Sequence, residues 1–212
     1  MKCMDDIKIT ALVLGSLQTN CYLIANPEGG AVIIDPACDF KRINEKINGD
    51  TLKPVAVLLT HGHFDHIAAA GELRDAYGIP VLAGLAEERL MSDSAMNGAY
   101  LIGEKIGLTA DRWLADGDAL LYADFDIRVI NTPGHTAGGV CYYFDGCGAL
   151  MSGDTLFRDS YGRTDLPTGN FEGIFHSITQ KLFALPKETA VYPGHGAGTA
   201  IGREIKFNMI NE

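Results

Sequence analysis

Four side chains able to bind a metal ion fall within six positions, His61-Gly62-His63-Phe64-Asp65-His66. Imidazole suits zinc, copper, iron and nickel, and a carboxylate added without any thiolate makes such a set harder. A single histidine is more often solvated or hydrogen-bonded in a core, but a cluster this dense is poorly explained that way. Three more donors stand in short glycine-containing segments: His135 in Thr132-Pro133-Gly134-His135-Thr136, Asp154 in Ser152-Gly153-Asp154-Thr155, and His195 in Tyr192-Pro193-Gly194-His195-Gly196. Each segment follows an apolar run, and glycine lets the chain turn sharply enough to present the next side chain. Singly, each of these three reads as structural. Together with the cluster they make seven donors, enough for two cations sharing one carboxylate. The sixth histidine, His176, lies inside a helical pattern and is assigned a structural or surface role.

The elements that must position these donors follow from hydrophobic periodicity. Val55 to Thr60 is a short apolar run that predicts a buried strand, and the Ala-rich stretch from His66 to Gly78 predicts a helix. The donor cluster therefore occupies a strand-to-helix turn. In an extended turn His61 and His63 point to the same side, and Asp65, at the start of the helix, can accept from first-turn amides. Strands are also expected at Ile7 to Leu14, Cys21 to Ala25, Ala31 to Asp35, Ile79 to Ala83, Asp126 to Thr132, Val140 to Phe144, Gly148 to Ser152 and Ala190 to Tyr192. Helices are expected at Asp39 to Ile47, Leu85 to Met91, Asn170 to Leu185 and Ile201 to Met209. The glycine-interrupted stretch from Ser92 to Trp113 reads equally as a flap over the site or as an ordinary surface insertion. Similar element order in the two halves, with no linker between them, points to one domain over residues 1–212.

Lys and Arg total 17 against 27 Asp and Glu, a formal charge of −10, which argues against nucleic acid as a partner. With 47% hydrophobic residues and a mean hydropathy of +0.06, the chain has an ordinary globular composition. Cys3, Cys21, Cys38, Cys141 and Cys147 are odd in number and lack C-x-x-C spacing, so they read as free thiols in a reducing compartment. No leader or membrane segment is apparent, and a cytoplasmic location is expected.

Thr60-His61-Gly62-His63-Phe64-Asp65-His66, followed in order by TPGHT, SGDTLF and YPGH, resembles the metallo-β-lactamase-fold hydrolases over nearly the whole chain. Within them it is similar to glyoxalase II, the hydroxyacylglutathione hydrolases. The resemblance implies an α/β fold, a four-layer αββα sandwich of two mixed β-sheets flanked by helices. It implies that His61, His63 and His135 hold one divalent metal, that Asp65, His66 and His195 hold the other, and that Asp154 bridges them. Asp35 resembles the family carboxylate that supports the histidine cup, although a plain turn Asp before Pro36 is an equal reading. Di-iron relatives linked to flavodoxin typically carry glutamate where this chain has His63, which favours the hydrolytic branch. Zinc is the default metal, and iron and manganese accept the same donors.

Two such cations lower the pKa of water toward neutrality, so the resemblance implies attack on a thioester carbonyl, with Asp65 orienting the nucleophile. S-lactoylglutathione is the expected small-molecule substrate, with Arg163 of Tyr161-Gly162-Arg163-Thr164-Asp165 as a carboxylate clamp. Only 17 residues follow His195, so the resemblance is to short forms without the C-terminal helical domain of longer glyoxalase II enzymes. The main rival is a mononuclear iron glutathione persulfide dioxygenase, which shares the fold and a similar Gly-Arg-Thr/Cys-Asp stretch. Those enzymes resemble Pro-Ala-His-Asp where this chain has Pro193-Gly194-His195-Gly196. Lactonase or β-lactamase chemistry ranks third and a non-catalytic metal-binding protein fourth.

Overall fold

The computed structural model describes residues 7–211. The first sheet runs β1 (Lys8–Leu14), β2 (Thr19–Ala25), β3 (Gly30–Ile34), β4 (Lys53–Leu58), β5 (Val81–Gly84) and β6 (Arg112–Leu114), in that spatial order. Its first three strands pair antiparallel and the later ones parallel. The second sheet contains β7 (Ala119–Tyr122), β8 (Phe125–Asn131), β9 (Val140–Phe144) and β10 (Ala149–Gly153). A small hairpin, β11 (Leu156–Phe157) and β12 (Ser160–Tyr161), leaves that sheet before β13 (Ala190–Pro193) and β14 (Thr199–Ala200) complete it. Within it only β10 and β13 pair in parallel, so both sheets are mixed.

Alternation along the strands sorts side chains into separate layers. Ile24, Val32, Ile34 and Leu58 face Val129, Tyr142, Phe144 and Met151 of the other sheet in a core between the sheets. Leu23, Ile33 and Val57 point the other way, onto Ile43 and Ile47 of α1 (Phe40–Gly49) and toward the helices that follow the donor cluster. Those are α2 (Phe64–Ile67) and α3 (Ala70–Tyr77), followed by α4 (Glu88–Ser92). Beyond the second sheet, Ile174 of α5 (Phe171–His176) and Ile201 of α6 (Ile201–Phe207) cover Cys141, Leu150 and Val191. The layers are helix, sheet, sheet, helix, as the sequence motifs imply. Tyr142 donates to the Leu59 carbonyl at 2.7 Å and Val140 N–H to the Thr60 carbonyl at 2.8 Å, tying the end of β4 to the opposite sheet where the donor cluster begins.

Several expected elements differ in detail. The single helix expected from His66 is two, α2 and α3, separated by a turn in which the Ala69 amide donates to the carbonyls of Pro36 and Ala37. The long helix expected from Asn170 to Leu185 is α5, a π-helical turn (Ser177–Lys181) and a 3-10 turn (Leu182–Ala184). Its widening falls where the Ser177 hydroxyl donates to the Pro133 carbonyl at 2.8 Å, docking the helix on the segment that presents His135. The terminal helix ends at Phe207 and is followed by a 3-10 turn, Met209–Asn211. The short edge elements β6, β7, β11, β12 and β14 carry too few residues for a clear period in sequence. Cys21, Cys38, Cys141 and Cys147 are free thiols, while Cys3 lies outside the described residues. Among the described residues, no helix is long and apolar enough to cross a membrane.

Candidate metal centre

All seven donors converge at one end of the sandwich, where β4, β8, β10 and β13 run out. The His61, His63 and His135 nitrogens form one close group and the donors of Asp65, His66 and His195 another, each with ligand atoms within 4.8 Å of one another. The two imidazoles at positions 61 and 63 do share a side, their ring centroids 4.8 Å apart, and the backbone of His63 itself is extended. Asp154 stands between the groups. Its Oδ1 lies 3.6 Å from His66 Nε2, and its Oδ2 lies 3.7 Å from His135 Nε2 and 3.5 Å from His195 Nε2.

The donor set fits divalent cations. Atoms each about 2.0–2.1 Å from a tetrahedral zinc ion stand about 3.3 Å apart, close to the 3.4–3.7 Å separations of Asp65 and Asp154 oxygens from the His66, His135 and His195 nitrogens. Nε2 of His61 and Oδ1 of Asp154 are buried without a hydrogen-bond partner. Buried polar atoms left in that state are costly, and a lone pair facing a cation removes the cost.

Neighbouring hydrogen bonds fix which ring nitrogen faces inward. His66 Nδ1 pairs with Asp35 Oδ2 at 3.0 Å, His135 Nδ1 with the Arg163 carbonyl at 2.8 Å, and His195 Nδ1 with the Leu17 carbonyl at 3.0 Å. Each leaves Nε2 pointing at the cluster, the arrangement by which ligating histidines are oriented. Asp35 also accepts from the Thr60 amide at 2.7 Å and the Thr60 hydroxyl at 2.6 Å. Its φ of +45° is one that Asp tolerates better than most residues. With both oxygens engaged, Asp35 supports His66 and is unsuited to ligate, although it lies near His61 and His66.

Asp65 does not cap its helix. His63 occupies the cap position and makes no side-chain cap bond, while Asp65 Oδ2 accepts from the Thr19 hydroxyl at 2.8 Å and faces His66 and His195. The first-turn amide reading from sequence is corrected accordingly: the carboxylate turns into the cluster.

Electrostatics divide the two groups. Burial, then the neighbouring imidazoles, hold His61 well below its ordinary range and His63 down to about 3. Burial also outweighs Asp154 in lowering His135. At His66 burial acts in the same sense, but Asp65, Asp154 and Asp35 together outweigh it and raise the ring to about 10. His195 is likewise raised, against burial, by Asp65 and Asp154. Burial would raise Asp65, yet His66 and His195 hold it well below the usual carboxylate range.

Sequence reasoning missed the residues that hold these loops together. The Glu87 carboxylate, fully buried, accepts from the Gly62 and Gly138 amides at 2.7 Å each and so joins the His61–His63 turn to the loop after His135. The Asn20 side chain donates to the Pro193 and Gly196 carbonyls at 2.9 and 3.0 Å, clamping the loop of His195. Neither residue belongs to a local pattern; each acts across more than twenty positions. The glycines that precede donors serve two ends. Gly153 has φ +47°, whereas Gly194 is needed for space, since a Cβ there would sit 2.2 Å from Asp154 Oδ1.

Arg163 lies at the mouth of the cavity over the cluster, but its guanidinium pairs with both oxygens of Asp165 at 2.7 Å. His176 is exposed. Of the two readings for the 92–113 stretch, the structure favours the one that covers the site: Ala95, Met96, Asn97, Gly98, Tyr100 and Leu101 line this cavity, fastened to the donor turn by Phe64 N–H donating to the Asn97 carbonyl at 3.0 Å.

Comparison with known proteins agrees with this geometry. The chain is 36% identical to "Probable metallo-hydrolase YqgX" of Bacillus subtilis, over 95% of this chain and 96% of that protein. It is 32% identical to "Hydroxyacylglutathione hydrolase GloC" of Haemophilus influenzae, over 95% and 97%. The crystal structure of BLEG-1 B3 metallo-beta-lactamase superposes with a TM-score of 0.92 at 40% identity, covering 95% of this chain and 98% of that one. That of TTHA1623 in a di-iron-bound form gives 0.85 at 37%, covering 94% and 98%. With residues 14–195 matching the family as a whole, and with these folds and donors, the chain belongs to the metallo-beta-lactamase superfamily.

Proposed function

We propose that the chain is a metal-dependent hydrolase of thioesters, for which a hydroxyacylglutathione such as S-lactoylglutathione is the first substrate to test. The observation that carries this reading is Asp154, a half-buried carboxylate between two donor groups whose Oδ1 is buried without a hydrogen-bond partner. In the proposal His61, His63 and His135 hold one cation, Asp65, His66 and His195 the other, and Asp154 both. When bound, the pair supplies Lewis acidity and a water acidic enough to be deprotonated near neutral pH. The relative from Haemophilus influenzae, named a hydroxyacylglutathione hydrolase, supports a thioester substrate. Zinc is proposed as the metal, with iron and manganese as alternatives; the di-iron relative keeps iron in view.

The chain's own residues then have defined tasks. Asp65 Oδ2, held by Thr19, lies beside His195 and orients the proton of the attacking water. The leaving thiolate, with an intrinsic pKa near 8.5, needs little help from an acid. That suits a cleft in which the donors account for the acid–base groups nearest the reacting position.

Protein reconstituted separately with zinc, iron and manganese should release thiol from S-lactoylglutathione or from simple acyl thioesters. No thiol release from any of them, together with oxygen uptake and sulfite formation from glutathione persulfide by the iron form, would replace hydrolysis with sulfur oxidation.

Cation retention should depend on pH unequally at the two groups. His61, His63 and His135 are held neutral, so their lone pairs remain available into mildly acidic solution. At His66, raised to about 10, a cation must displace a proton already at neutral pH. Falling pH should therefore empty the Asp65–His66–His195 group first, and metal content after dialysis at stepped pH should decline in two stages. Simultaneous loss of all bound metal would contradict this assignment.

A further inference from the structure

We propose that the cleft over the donor cluster is an acyl pocket, and that the preferred thioesters carry an apolar acyl chain rather than a small polar one. The inference rests on the thioester reading and adds to it the class of acyl group.

The cleft has a volume of about 450 Å³, with His63, Asp65, His135, Asp154 and His195 on one side. Elsewhere its walls are mainly apolar, from Leu17, Phe64, Met96, Tyr100, Leu101 and Leu166. Leu17, Tyr100 and Leu101 are 51%, 59% and 67% exposed, so the mouth presents apolar surface to water beside the reacting position. An adjoining cavity of about 120 Å³ shares Leu17, Phe64 and Asp65 and extends the apolar lining to Ile102 and Ile106. This wall is built into the fold. Asn97 is fully buried, its amide donates to the Ile106 carbonyl at 2.8 Å, and its side-chain oxygen accepts from the Ala99 amide at 3.0 Å.

Charge points the same way. A glutathionyl group brings two carboxylates and an ammonium, and among the residues lining the cleft Arg163 is the sole permanent cation. Its guanidinium is already closed on Asp165, so a substrate carboxylate would have to compete for it. An apolar acyl chain needs no counter-charge and withdraws leucine, tyrosine and phenylalanine surface from water. Each methylene so buried is worth about four-fold in kcat/KM.

The test uses the full zinc-loaded chain and acetyl, butanoyl, hexanoyl and octanoyl thioesters of N-acetylcysteamine, beside S-lactoylglutathione. The expected result is a rise in kcat/KM of about four-fold per methylene until the cleft is filled, carried mainly by KM. Leu101→Ser and Tyr100→Ser, both at exposed positions, should lower the octanoyl-to-acetyl ratio by about ten-fold. A second readout needs no turnover: calorimetric binding of the non-hydrolysable thioether S-octyl-N-acetylcysteamine, with a negative heat-capacity change, and much weaker binding of S-methylglutathione. A flat chain-length series with S-lactoylglutathione fastest would overturn the acyl pocket and leave thioester hydrolysis standing. Binding of the octyl thioether without turnover of any thioester would uphold the apolar pocket and remove the hydrolase reading. Absence of both would overturn both.

Discussion

Replacing Asp154 by asparagine is expected to lower bound metal and kcat/KM together, each by more than about 100-fold. Groups that merely orient a metal ligand cost 10–100-fold in affinity or activity when removed, and Asp154 stands closer than that. Its two oxygens approach nitrogens from both donor groups, at 3.5–3.7 Å, and its Oδ1 is buried without a hydrogen-bond partner. Asparagine keeps the size of the side chain but loses the negative charge and turns one oxygen into an NH₂ donor. That donor would face His66, His135 or His195 and could share no cation. Metal analysis and thioester kinetics on one preparation provide the check. Full metal content and full activity in the variant would end the bridging role, while a folded variant that has lost metal isolates the effect to the centre.

Glu87→Ala is expected to lower stability by about 2–5 kcal/mol although the residue does not face the cavity. The substitution strands two amides, of Gly62 and Gly138, and leaves a void at a position that is fully buried. Burial pushes the Glu87 carboxyl up, and the Thr136 side chain and the two amides oppose that shift in favour of the charged form. Glu87→Gln should cost less, because its oxygen still accepts from one amide while its NH₂ opposes the other. The turn bearing His61 and His63 would then no longer be fastened to the loop after His135, and cation affinity should fall in the order parent, Gln, Ala. Thermal unfolding with and without added zinc measures both consequences. An Ala variant that unfolds at the parent temperature would show that the carboxylate does not join these loops.

The donors and the supports were not equally legible in the sequence. His61, His63, Asp65 and His66 could be read together because one strand-to-helix turn holds them within six positions. His135, Asp154 and His195 were readable because each follows an apolar strand and a glycine, a local signal of a side chain presented at a sheet edge. Asp35 had an equally good local explanation in Pro36, and only its bonds to Thr60 and His66 distinguish the two. Glu87 sits in Ala86-Glu87-Glu88-Arg89, which looks like a solvated helical face until the carboxylate is seen to be completely buried.

From the chain alone came the seven candidate donors, written in residue types and in spacings of a few positions, while the layered α/β architecture and the hydrolytic chemistry followed from the family resemblance that those motifs carry. Tertiary structure decided how the donors divide around Asp154, which nitrogen of His66, His135 and His195 faces inward, that Asp65 turns away from its own helix cap, and that an apolar wall closes over the site. Those features depend on contacts between residues tens of positions apart. Side-chain direction across such distances is set by how two sheets pack, and no local period in a sequence records it.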